Sequence, residues 1–114
     1  MTNADIRKYC LSLAGTTEDV KWDHHLCFNV GGKMYCITTP DAFSTSLKAD
    51  PEEFEELCAK PGVNPAPYLA RNKWVQVERG DALSATEWKR LLRISYLEVR
   101  KKLPLKAQRA LGEV

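Results

Sequence analysis

With 114 residues, 44% apolar and 28% charged, the chain has ordinary globular composition and enough length to bury one core but not two. Its apolar runs are only a few residues long, too short for a transmembrane helix. The net charge of +2 hides an asymmetry: residues 1–57 carry 5 basic and 10 acidic groups, residues 58–114 carry 12 and 5, a field on the second half that attracts polyanions.

The opening Met1-Thr2-Asn3-Ala4-Asp5 lacks a basic n-region and an apolar h-region, so the expected compartment is the cytoplasm. Asn3 predicts a helix cap, with Ile6, Tyr9, Cys10 and Leu13 on one stripe and Gly15 at the end. Thr16-Thr17-Glu18-Asp19 reads as a turn and Val20 to Trp22 as a short strand. Leu26–Val30 and Lys33–Thr38 then form a hairpin on the two-residue turn Gly31-Gly32. Pro40-Asp41 breaks the pattern, and Phe43, Thr45 and Leu47 alternate as the next strand.

Asp50-Pro51-Glu52-Glu53 predicts a helix from about Pro51 to Ala59. Three prolines within residues 61–70 predict an irregular loop. Trp74–Glu78 is the last strand. Ser84 and Glu87 form a capping box for a long helix with Trp88, Leu91, Leu92, Ser95, Tyr96 and Val99 inward, and Pro104 begins a short final helix to about Leu111. Consecutive strands on tight turns require antiparallel pairing, so the expected fold is α+β: one domain, residues 1–114, with helices packed on one face of an antiparallel sheet.

Leu13-Ala14-Gly15-Thr16-Thr17-Glu18-Asp19-Val20-Lys21-Trp22, Phe28-Asn29-Val30-Gly31-Gly32-Lys33-Met34-Tyr35, Ser46-Leu47-Lys48, Pro61-Gly62-Val63, Pro67-Tyr68-Leu69, Lys73-Trp74-Val75 and Ser95-Tyr96 together resemble the MmcQ/YjbR family, in the same order over residues 3 to 104. The resemblance implies a CyaY-like (frataxin-like) sheet and a double-wing arrangement likened to DNA-binding modules.

A nucleic-acid site needs cations for phosphates and flat side chains for bases or sugars. Tyr68, Arg71, Lys73 and Trp74 supply both within seven residues, Lys33 flanks the hairpin tip, and Lys48 ends the following strand. These six are the expected DNA contacts. His24, His25, Cys27 and Cys36 are the metal-ligand candidates; with Gly31-Gly32 as the turn, residue 27 faces residue 36, so His25, Cys27 and Cys36 project from one side of the hairpin. Their spacing matches no zinc motif, so the expectation is reduced thiols with no metal and no cofactor. Neither a G-x-S-x-G elbow nor a phosphate-binding glycine loop is present, which argues against an enzyme. Of the acidic clusters, Glu18-Asp19-Asp23 and Glu52-Glu53-Glu55-Glu56, the second suits the positive end of a helix. The reading is a monomeric cytoplasmic DNA-binding protein, a transcriptional regulator in the fullest form of that idea. The alternative is a protein-interaction or small-ligand-binding module without nucleic acid.

Overall fold

Thr2, one residue ahead of the expected cap, opens the first helix in the computed structural model, which describes residues 1–22, 24–39 and 41–112. Its hydroxyl accepts the Asp5 N–H at 3.2 Å while the Asp5 carboxylate accepts the Thr2 N–H at 3.0 Å, a reciprocal capping box. Helix α1 (Asn3–Ser12) buries Ile6 and Cys10 and stops at Leu13. Asp23 in the first acidic cluster and Pro40 as strand breaker lie outside the described residues.

The segment expected as a turn is strand β1 (Thr16–Lys21), paired antiparallel with β2 (His25–Val30) so that Thr16 faces Val30 and Lys21 faces His25. It is an edge strand with no fully buried side chain, so no apolar alternation marks it. Trp22, expected within a strand, falls just beyond it. The β2 to β3 (Lys33–Thr38) hairpin turns on Gly31 (φ +58°) and Gly32 (φ +78°), the positive φ pair that a two-residue hairpin loop requires.

Pairing skips Tyr35: Phe28 faces Cys36 and Asn29 faces Met34. The extra residue is a β-bulge, and it turns Tyr35 and Cys36 both inward, Tyr35 edge-on to Tyr96 at 5.5 Å and Cys36 toward Cys10. Cys27 consequently faces Ile37 rather than Cys36. Since cross-strand partners share a face, Cys36 lies with Phe28 on the core side and Cys27 with Ile37 on the opposite side. His25, Cys27 and Cys36 therefore do not project from one side, contrary to the unbroken register expected from the turn.

Strand β4 (Thr45–Lys48) joins β3 to β6 (Trp74–Val77), and β5 (Val63–Pro65) closes the far edge, giving the all-antiparallel order β1-β2-β3-β4-β6-β5. β5 lies inside the segment expected to be a loop; Pro65 is tolerated because the strand is an edge. Helix α2 (Phe54–Cys58) is shorter than expected, since Asp50 caps only a turn by accepting the Glu52 N–H at 2.9 Å. Helix α3 (Ala85–Arg100) buries the six inward positions read from its spacing, and α4 (Leu105–Leu111) follows Pro104.

Side chains from α1, α2, α3 and α4 join the core on one sheet face. Phe43, before β4, meets Trp88 edge-on at 5.9 Å; Ser95 reaches the Lys48 N–H; and a Cβ on Gly31 would come within 2.4 Å of Leu103. These three contacts run α3 alongside β4 with its C-terminal end at the hairpin tip. Among the described residues no helix covers the other face, where Met34, Ile37, Ser46 and Gln76 are half-buried. No helix among them is long and apolar enough to cross a membrane.

An ion network ties α2 to α3. Arg90 donates to Glu53 at 2.7 and 3.2 Å and to Glu87 at 2.6 and 2.9 Å, and Lys60 reaches Glu87 at 3.3 Å. The Arg90 hydrogen bonds, helped by Lys60, hold the Glu87 carboxyl down to about 2. A depressed carboxyl contributes stability that is complete above its unfolded pKa of 4.5 and disappears as pH falls toward 2. The expected result is a urea midpoint falling from about pH 5 downward, with roughly 1–2 kcal/mol of the loss, after solvent screening, absent in Arg90→Ala. Parallel midpoint curves for the two proteins between pH 6 and pH 3 would remove this role from Arg90.

Candidate nucleic-acid interface

Antiparallel pairing brings four separate chain segments to one end of the sheet. The register sets Lys48 opposite Trp74 and Val30 opposite Lys33, so the Gly31-Gly32 tip, the end of β4 and the 66–73 loop share that end. The Leu103–Gly31 packing adds the residues following α3, and Leu111 packing on Gly15 brings α4 beside them. Lys33, Arg71, Lys73, Lys101, Lys102 and the α4 cations Lys106 and Arg109 thus belong to segments that meet at this rim of the sheet. Among the described residues, Asp50 and Glu98 act on Lys101 there, and Glu98 pairs with it at 2.6 Å.

The six expected contacts divide on this geometry. Lys33 and Arg71 are exposed and, among the described residues, form no ion pair. Lys73 is half-buried, with left-handed backbone (φ +65°) closing a 3-10 turn at Ala70–Asn72 and its ammonium 5.0 Å from the Phe54 ring centre. Lys48 is 9% exposed and donates to the Asn72 carbonyl at 2.7 Å. Burial, then the Lys102 charge, lowers its pKa, so it supports the loop from beneath instead of reaching outward. Trp74 is 6% exposed; its ring is covered and presents no flat face. Tyr68 is fully exposed.

The uncovered sheet face holds a groove of about 570 Å³, within the usual range for ligand sites. Its floor crosses the sheet through His25, Ile37, Ser46 and Gln76, and Trp22 and Tyr68 stand at its borders. No Lys, Arg, Asp or Glu lines it among the described residues. Trp22 (φ +51°) and Tyr68 (φ +64°) both have left-handed backbone, a conformation costing such bulky residues about 1–3 kcal/mol and concentrated at functional sites. The Trp22 ring, 63% exposed, stands edge-on to His25 at 5.8 Å, and the His25 Nδ1 shares a 2.9 Å hydrogen bond with the Thr39 hydroxyl. Sequence reasoning misses Trp22 because an aromatic after Val20-Lys21 reads as strand; only its backbone angle sets it apart.

Three of the four thiols are biased toward their protonated form. Burial raises the Cys27 and Cys58 pKa values, and the hydrogen bond with Cys10, reinforced by burial, raises that of Cys36. A thiol is reactive as its thiolate. Among the described residues, no three His, Cys, Asp or Glu side chains gather as a metal site would need.

Comparison with known proteins bears on the whole arrangement. The family model described as YjbR matches residues 11–98. A search of curated proteins finds no match. Among solved structures, the crystal structure of a Pseudomonas syringae protein, a structural-genomics target, is similar at a TM-score of 0.75 and 22% identity, over 87% of this chain and 99% of that one. At that identity the likeness is one of fold.

Proposed function

From the premise that this chain belongs to the YjbR family, we propose that it is a DNA-binding module and not an enzyme, acting in the cytoplasm as a monomer with neither metal nor cofactor. The observation carrying the proposal is the gathering of cations from the hairpin tip, the 66–73 loop and the segment after α3 around one rim of the sheet. Phosphates are held by such cations without sequence preference, and the affinity is salt-dependent because counterions are released. Lys33, Arg71 and Lys73 are the phosphate contacts, with Lys102 beside them; Lys48 acts by holding the Asn72 carbonyl and Trp74 by packing.

The double variant Arg71→Ala with Lys73→Ala tests this reading. Duplex affinity is expected to fall nearly equally across sequences, and the slope of log affinity against log salt to shrink by about 0.9 for each phosphate no longer neutralised. Lys102→Ala measures the helix-side contribution in the same titration. Wild-type affinity no better than about 10⁻⁴ M at physiological salt, the weak edge of non-specific binding, would refute the proposal.

A second reading, a small-ligand module without nucleic acid, draws on the absence of charged side chains from the groove among the described residues. Binding there would be nearly indifferent to salt, which separates the two.

A further inference from the structure

We propose that the groove on the uncovered sheet face takes an unpaired nucleobase, so that the protein prefers single-stranded to duplex DNA. The inference rests on the DNA-binding reading above and assigns the groove, which the rim cations leave unused. Three features select this occupant.

The first is the pair of flat rings. Among the described residues, Trp22 and Tyr68 are the only aromatics in the set of large exposed apolar side chains, and both border the same groove on left-handed backbone. Every base has a π-face, so such rings stack bases irrespective of sequence. The second is a neutral floor with spare hydrogen-bonding capacity. Among the described residues, Gln76 spends one amide N–H on the Ser44 hydroxyl at 2.8 Å, and its carboxamide oxygen and the Ser46 hydroxyl have no protein partner. Neutral donors and acceptors suit a base edge and would leave a phosphate uncompensated.

The third is where the charge begins. Arg71, exposed, lies two residues after groove residue Leu69, while Lys33, the partner of core residue Val30, stands at the hairpin end on the other side of the sheet from groove residue Met34. A strand whose base enters the groove therefore meets Arg71 as its backbone leaves over the 66–73 loop, and reaches Lys33 around the hairpin end, the division between stacking surface and electrostatic track found in single-strand binding. A base paired and stacked within a duplex cannot enter without being flipped out.

The test is a fluorescence titration of a labelled twelve-residue oligothymidylate and of a mixed-sequence duplex of equal length, against wild type, Tyr68→Ala, Trp22→Ala and the Arg71/Lys73 double variant. The two aromatic side chains are exposed, so the variants are expected to fold, and urea midpoints check this. Wild type should bind the single strand more tightly. Each aromatic variant should weaken single-strand binding on the order of tenfold while changing duplex binding less than twofold; the cation variant should weaken both. Intrinsic fluorescence adds a second readout: Trp74 and Trp88 are buried, so quenching by the oligothymidylate is expected to vanish in Trp22→Phe. Aromatic variants that bind the single strand like wild type, while the cation variant weakens both, would overturn the base site and leave the DNA-binding reading standing. No binding of either DNA by wild type would overturn both.

Discussion

Trp88→Ala is expected to lower stability by about 3–5 kcal/mol, the range for emptying a fully buried large aromatic, and the melting temperature by on the order of 15 °C for a domain of this size. Trp88 is 0% exposed, stands edge-on to Phe43, and donates its indole N–H to the Gly80 carbonyl at 2.8 Å. The hydrogen bond is the smaller part, because the Met1 amino group also donates to that carbonyl, at 2.7 Å. Trp88→Phe keeps most of the ring volume and should cost about 1–2 kcal/mol. Urea unfolding followed by far-ultraviolet circular dichroism separates the two variants. Equal losses would show that the missing donor, not the cavity, carries the effect.

Ser95→Ala should cost about 2–4 kcal/mol although it removes a single oxygen, because alanine leaves a buried donor and a buried acceptor unpaired, at about 1–3 kcal/mol each. The bulge at Tyr35 ends the regular β3–β4 pairing at Cys36 and Leu47. Across the resulting gap the Ser95 hydroxyl accepts the Lys48 N–H at 2.9 Å and donates to the Tyr35 carbonyl. A helix side chain thus completes a sheet ladder. A urea midpoint within error of wild type would mean that the strands close the gap unaided. Next to it, Tyr96 meets Tyr35 edge-on and donates to the Ala14 carbonyl, so the Ser95-Tyr96 pair joins α3 to the sheet and to the end of α1.

The parts of the fold legible in the sequence are those whose side chains repeat with a period. The six inward positions of α3 recur at helical spacing because one stripe of that helix meets the sheet, and the Gly31-Gly32 turn is set by backbone chemistry alone. β1 escapes because its exposed edge position lets Thr17, Glu18 and Asp19 replace the apolar alternation of a half-buried strand. β5 escapes because three residues ending in Pro65 carry no period at all. The bulge changes the most: one unpaired residue, Tyr35, shifts the Cys27 partner from Cys36 to Ile37 and separates side chains that an unbroken register would have joined.

The candidate site is legible by residue type but not by burial. Lys33, Tyr68 and Arg71 are exposed, whereas Lys48 and Trp74 are covered, since a lysine buries its stem as readily as it reaches into water. Trp22 escapes because left-handed backbone in a bulky residue depends on tertiary packing, which local sequence does not encode.

The two rims of the sheet also bear on how the chain behaves in a crowded solution. An open sheet offers unpaired N–H and C=O groups at each edge, a template on which a foreign strand can grow. One edge here is only three residues long and ends in Pro65, which has no N–H to offer. Along the other, Glu18 is clamped by Arg7 at 2.6 Å and Asp19 and Lys21 alternate in sign, so an incoming strand would have to strip charges of water. The six-stranded sheet is thereby guarded against self-templated aggregation on both sides, without closing into a barrel.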